Sequence, residues 1–240
     1  MKRPVVAIIQ ARMGASRLPN KMMLWLHGLP VVEWVFRRVS MANGVDQVVF
    51  ALPDTQEDDI LANHLKGIGA VVFRGSETDV LGRCCQAASL HGAGTIVRIC
   101  ADNPFVTASE IDRLIDFFRK GDFDYAYNHI PRNNCYPDGL GAEIVPFPVL
   151  ERLNREAGDL AHREHMFNYI WDNQSAFRIG TCDPLDESLA FPELKLDLDT
   201  TGDYDWLLQL PVHPGMSAQQ VVSRALACPK KTKGNNDAAA

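Results

Sequence analysis

The sequence predicts a single three-layer α/β domain, a mainly parallel sheet with helices on both faces. Three observations carry this. Short β-rich apolar runs alternate with longer amphipathic segments through the first 120 residues, the order that right-handed βαβ crossovers produce. The chain has 240 residues, 46% of them hydrophobic, which suits one sizeable core. No linker or internal repeat divides it, so residues 1–228 are expected to form one domain. The end, from Pro229 through Lys230, Lys231 and Lys233 to the final alanines, has little to bury. Residues 229–240 are therefore expected to be a disordered, solvated tail.

The elements follow in order. Residues 5–9 form a continuous apolar run, suited to a strand covered on both faces. After a polar, basic loop, residues 30–41 carry a helical period, with Pro30 near the start. Residues 45–52 read as a strand and 55–66 as a helix, with Thr55 as N-cap and Glu57, Asp58 and Asp59 in an acidic first turn. A strand at 70–73, a helix at 79–91 and a strand at 95–100 come next. The helix at 107–120 has the letters of a capping box, Thr107 and Glu110, and Gly121 where a stop belongs. The second half is less regular. Strands are expected at 124–128 and 142–146 around a Pro/Asn/Gly-rich loop, helices at 148–156 and 160–172, and late strands at 175–181 and 194–198.

Composition narrows the function. The net charge is −6, so no general basic field exists to gather nucleic acid. The first apolar run is too short for a secretory signal or a membrane span. The six cysteines (Cys84, Cys85, Cys100, Cys135, Cys182 and Cys228) show no Cys-x-x-Cys pair, and read as reduced thiols of a cytoplasmic protein.

The chemistry points to Gln10-Ala11-Arg12-Met13-Gly14-Ala15-Ser16-Arg17-Leu18-Pro19-Asn20-Lys21. This loop leaves the carboxyl end of the first strand, where open α/β sheets bind ligands. It places Arg12, Arg17 and Lys21 within ten residues of an otherwise acidic chain, and Gly14 and Ser16 allow backbone amides to approach an anion. Polyphosphate binding calls for that set; a solvated basic turn is the bland alternative. The P-loop and Gly-x-Gly-x-x-Gly patterns are absent. Asp102 follows the strand at 95–100, and so can face the same cleft.

The loop resembles the signature of the cytidylyltransferases that make CMP-activated acidic sugars, including acylneuraminate and KDO cytidylyltransferases, and most closely the branch of spore coat polysaccharide biosynthesis protein F. Further segments line up in order: Phe73-Arg74-Gly75-Ser76, Asp79-Val80-Leu81 with Arg83, Asp102 with Pro104, Pro137 with Gly139-Leu140, Arg163-Glu164-His165, and Asp199-Thr200. Ala15 and Asn20 depart from the common Gly-Ser-Ser and Pro-Gly-Lys, and Thr201-Gly202-Asp203 replaces Pro-Glu-Asp.

The resemblance implies a Rossmann-like, nucleotide-diphospho-sugar transferase-like fold and transfer of CMP from CTP to a sugar, with Mg²⁺ as cofactor and a homodimer as a common assembly. It implies that Arg12, Lys21 and Asp102 are catalytic. Ala11, Arg12, Gly14, Ser16, Arg17, Lys21, Gly75, Asp79 and Arg83 would bind nucleotide, and Asp138, Gly139, Glu143, Arg163 and His165 the sugar. Asp102 and Asp199 would hold the metal, with Asp197 in reserve. Simpler readings stand beside these: an Asx turn for Asp102, an N-cap for Asp199, an i, i+4 ion pair for Asp79 and Arg83, a tight turn at 137–141, and a charge cluster at His162-Arg163-Glu164-His165, whose spacing does not suit zinc. Two other functions remain open. A nucleotide-sugar glycosyltransferase would use an Asp-x-Asp motif such as Asp122-Phe123-Asp124, which here follows a helix stop. A non-catalytic nucleotide-binding homologue would keep the fold alone.

Overall fold

Strand β1 (Val5–Gln10) is buried along nearly its whole length because it runs through the middle of the sheet, as its unbroken apolar run requires. The computed structural model describes residues 3–230. After β1 come a small hairpin, β2 (Trp25–Leu26) and β3 (Leu29–Pro30), then α1 (Val31–Val39), β4 (Gln47–Pro53), α2 (Asp59–Gly67), β5 (Val71–Gly75), α3 (Val80–Leu90), β6 (Thr95–Cys100) and α4 (Ala108–Lys120). The second half adds β7 (Tyr125–Tyr127), β8 (Glu143–Pro146), α5 (Phe147–Glu156), α6 (Leu160–Glu164), α7 (Asn168–Asp172), β9 (Ile179–Thr181), α8 (Thr201–Leu207) and α9 (Ala218–Ala227).

The main sheet runs β5-β4-β1-β6-β8-β7-β9. β5, β4, β1 and β6 are parallel neighbours, and β7 pairs parallel with β9. Only β8 runs against its neighbours, β6 and β7. This is the expected mainly parallel, three-layer sheet. One face packs under α1, α2 and α4 and the other under α3, α5 and α7. A third cluster joins Trp34 and Phe105 to the hairpin, α8 and α9. Helix α1 thus serves two cores, and Arg38 fastens it between them. Its guanidinium donates to the carbonyls of Val106 (2.7 Å), Pro214 (2.7 Å) and Met216 (2.9 Å) and to the Thr107 hydroxyl (2.9 Å). No described helix is long and apolar enough to cross a membrane.

Several expectations fail locally. The helix expected at 160–172 is two short helices, because His165 turns extended and lets Met166 and Phe167 drop into the core. The strand expected at 175–181 begins as a 3-10 turn, leaving only β9 in the sheet. Residues 194–198 are extended but join no sheet: a single bridge from Lys195 to Asp138 stands there, with Leu196 and Leu198 buried. Thr55 accepts no capping hydrogen bond; its hydroxyl donates to Asp58 at 2.6 Å. The Thr107–Glu110 box is not formed, because Thr107 accepts from Arg38 and donates to the Phe105 carbonyl while Glu110 accepts from Tyr136. Complete capping boxes occur instead at Thr200/Asp203 and Ser217/Gln220. Of the expected tail, residues 231–240 lie outside the described residues, whereas Lys230 is anchored on Asp203.

Candidate active site

The loop after β1 is built around Met13. Its amide donates to buried Asp58 at 2.8 Å, and its carbonyl accepts from the amides of Ala15 (2.8 Å) and Asn20 (3.2 Å). Asn20 turns left-handed (φ 60°), a conformation Asn tolerates well, and starts the 3-10 turn Lys21–Met23. Buried Leu18 and Met22 pin the loop from below. The cations are therefore delivered upward, at the carboxyl ends of β1 and β6.

A cleft opens there. Of the residues expected to form the site, Ala11, Arg12, Ser16, Arg17, Lys21, Arg83, Asp102, His165 and Asp199 line it. Lys21 is its most enclosed loop cation, with the side chain 12% exposed. Its Nζ lies 2.7 Å from Asp102 Oδ2, 3.0 Å from the Leu198 carbonyl and 3.3 Å from Asp199 Oδ1. Arg17 pairs with Asp199 at 3.1 Å and Arg12 with Glu164 at 3.6 Å. Burial works to raise the Asp199 pKa, but Lys21 and Lys195 hold it below the ordinary carboxylate range. In all, Arg12, Arg17, Lys21, Arg83 and Arg98 face Asp102, Glu164 and Asp199. This local excess of positive charge, in a protein of net charge −6, suits an anionic ligand.

The acids also fit a hard cation. Asp102 and Asp199 converge on one atom, Lys21 Nζ, and both offer oxygen. Among the described residues no three or more His, Cys, Asp or Glu side chains are grouped to hold a metal. A cation here would draw its other ligands from phosphate and water, the habit of Mg²⁺. Asp197, the reserve ligand, lies outside the cleft lining, with Lys195 3.1 Å away and Oδ1 buried without a partner. Neither bland reading of the two acids describes what is seen. The cap of α8 is Thr200 rather than Asp199, and Asp102 Oδ2 is taken by Lys21.

The other expected residues lie off the cleft lining. Gly14 is exposed beside Glu57. Gly75 ends β5. Asp79 caps α3 through the Gly82 amide (2.8 Å) and pairs with Arg163, not Arg83. Arg163 also grips Asn154, and so ties α6 to α3 and α5. Arg83, which does line the cleft, turns to the carbonyls of Ser76 and Glu77, leaving its Nε buried and without a partner among the described residues. Gly139 answers a backbone need: its φ is +92° and a Cβ would stand 3.1 Å from the Asp197 amide. Asp138 beside it is pushed up to about 6 by burial and then by Asp197. Asp122 and Asp124 both pair with Arg178, away from the cleft.

Glu143 is 4% exposed and sits behind the cleft, holding Arg98. Arg98, Gln10 and Cys100 line the cleft although none was expected to bind ligand, and Glu164 joins them from the segment that resembles the family. Arg98 is a lone cation in an apolar strand, and only the pairing of β6 with β8 sets it against Glu143. Burial lowers its pKa while Cys100 and Glu143 raise it, and the net direction is up. Burial pushes the Cys100 thiol up to about 12, so it is no thiolate nucleophile near neutrality.

A doubly wound sheet with a cationic loop after its first strand and facing carboxylates after β6 and before α8 defines a nucleotidyltransferase of the Rossmann-like class. The comparisons narrow this. A family model described as cytidylyltransferase matches residues 6–201. The spore coat polysaccharide biosynthesis protein SpsF of Bacillus subtilis is 30% identical over 230 residues, 91% of this chain and 92% of that protein. A cytidylyltransferase structure from Leptospira borgpetersenii superposes with a TM-score of 0.86 at 25% identity, covering 94% of this chain and 95% of that one. The structure of CMP:2-keto-3-deoxy-manno-octonic acid synthetase complexed with CTP shares the fold, with a TM-score of 0.63 at 16% identity, over 84% of this chain and 95% of that one. The chain belongs to the cytidylyltransferase family.

Proposed function

We propose that this protein transfers CMP from CTP to an acidic sugar with release of pyrophosphate, supplying an activated sugar for surface polysaccharide or glycan assembly. One observation carries the reading: the Arg12, Arg17 and Lys21 loop and the carboxylates Asp102 and Asp199 meet in one cleft. The CTP complex of a fold relative and the polysaccharide role in the Bacillus subtilis relative's name favour the nucleotide and the pathway.

In this reading a sugar hydroxyl attacks the α-phosphorus of CTP in line with the departing pyrophosphate. Arg12 and Arg17, exposed and held by single ion pairs, swing onto the β- and γ-phosphates. Lys21, already fixed from three sides, stabilises charge developing on the leaving group. Asp102 and Asp199 would hold Mg²⁺, which supplies further neutralisation of that charge. Such catalysis is positioning plus electrostatics and needs no protein nucleophile.

The test is pyrophosphate release from each of CTP, ATP, GTP and UTP with Mg²⁺ and a panel of acidic and neutral sugars. CTP with an acidic sugar should give the signal, and Lys21→Ala should reduce turnover about 10²-fold, as loss of a preorganised donor does. Release no greater than the acceptor-free control with every triphosphate, or a fully active Lys21→Ala, rejects the assignment.

A further inference from the structure

We propose that Arg98 and Gln10 form a subsite for the carboxylate of the acceptor, an inference that rests on the CMP transfer above and identifies the residues that choose its acceptor. Arg98 differs from the loop cations. It lies within β6, its side chain is 15% exposed, and two protein partners hold it: Nη1 donates to Glu143 and Nε donates to Gln10 Oε1 at 3.3 Å. Glu143 is itself fixed by the Tyr125 hydroxyl, which makes it a positioning residue.

Burying a guanidinium is costly unless its donors are met. Arg38 shows what a purely structural arginine looks like in this fold: Nε, Nη1 and Nη2 all donate to enclosed oxygens. Arg98 uses Nε and Nη1 and leaves Nη2 with no partner among the described residues, and it lines the cleft. Its neighbour points the same way. A guanidinium can only donate, so the Gln10 amide must turn its oxygen toward Arg98 and present its NH₂ elsewhere, and Gln10 also lines the cleft.

Around Arg98 and Gln10 the lining carboxylates are already engaged, Asp102 with Lys21, Asp199 with Lys21 and Arg17, and Glu164 with Arg12, which leaves these two donors unanswered. A sugar hydroxyl would meet these donors through a single oxygen and leave the charge of Arg98 without a counter-ion on the cleft side. A carboxylate fits, because it accepts at both oxygens and brings no proton. The place favours the acceptor over the nucleotide. Arg98 stands on the β6–β8 half of the sheet, whereas Gly75 ends β5 at the far edge, and His165 and Glu164 of the second half line the same cleft.

The experiment uses the full chain with CTP and Mg²⁺. Binding of 3-deoxy-manno-octulosonate and of N-acetylneuraminate is compared with that of their methyl esters by calorimetry, and pyrophosphate release is followed separately. At least one acid should bind tenfold or more tighter than its ester, about the worth of a charge-assisted hydrogen bond. Arg98→Lys, which keeps the charge beside Glu143, and Gln10→Glu, which puts an acceptor in place of the donor, should bring that ratio near one while CTP affinity stays within about twofold. Equal binding of acid and ester to the wild type, including no binding of either, overturns the subsite. So does a ratio unchanged in both variants, or a parallel loss of CTP affinity, which would place a phosphate or the base there. Acid preference without pyrophosphate release from any sugar would sink the transfer reaction and leave the subsite standing. Release with neutral sugars only would overturn the subsite and the acidic acceptor while leaving CMP transfer itself standing.

Discussion

Asp58 shows how much of the loop's chemistry depends on a residue that never reaches the cleft. Its Oδ1 accepts the Met13 amide and its Oδ2 accepts the Thr55 hydroxyl, and it is 3% exposed. Removing a buried acceptor strands both donors, at a cost of about 1–3 kcal/mol each in desolvation. Asp58→Ala is therefore expected to lower stability and, by loosening the platform under Arg12, to raise KM for CTP about tenfold while changing kcat less. Asp58→Asn, which keeps one acceptor oxygen, should recover much of the KM; steady-state kinetics of both variants decide it. Sequence alone showed the acid of Asp58 but gave it to the helix dipole. The three loop cations were legible because they crowd into a short stretch of an acidic chain. Arg98 was not, since its meaning comes from a partner 45 positions away brought across by strand pairing. Asp79 and Arg163 are the mirror case: the motif letters marked both, yet side-chain geometry spends them on joining α3 to α6.

At the scale of elements, the start of α8 matters most for the site. Asp203 accepts from the amides of Asp199 (3.1 Å) and Thr200 (2.6 Å) and from the Thr200 hydroxyl (2.7 Å), and Lys230 reaches its other oxygen. Burial opposes its charge, but Lys230 and Thr200 bring its pKa down to about 2. A carboxylate depressed in the folded state stabilises the fold above its unfolded value, near 4, and that contribution fades as pH falls toward 2. Asp203→Asn should thus lower the melting temperature at pH 7 by about 2–6 °C, with the gap closing by pH 2. Thermal melts across that range check it. The first four parallel strands and their helices were readable from the period of their apolar residues. Beyond residue 120 the period misled. Met166 and Phe167 continue a helical pattern, but their burial is won by breaking the helix. Leu194, Leu196 and Leu198 alternate like a strand, yet they feed the cluster around α8 and α9 instead of a ladder. Both are cases of tertiary packing overriding local preference.

For the whole molecule, the contrast between a chain of net charge −6 and a cleft in which five cations face three carboxylates predicts how folding and ligand binding are linked. A ligand that binds only the folded state at 100 times its Kd adds about 2.7 kcal/mol. CTP with Mg²⁺ at that ratio should raise the melting temperature by about 5–10 °C; EDTA, or Asp102→Asn, should remove most of the rise, as a thermal-shift assay would show.

The direction of β8 has a consequence of its own. Because it runs against β6, its first residue, Glu143, lands beside the end of the sheet where the parallel strands finish, and the turn at 137–141 arrives with it. The proposed carboxylate subsite thus draws on two stretches of chain: Gln10 abuts the loop at 11–21, while Arg98 depends on Glu143 from the antiparallel strand. On the proposed subsite, a lineage that exchanged Gln10, Arg98 and Glu143 together would change its acceptor while the loop at 11–21 went on handling the same triphosphate.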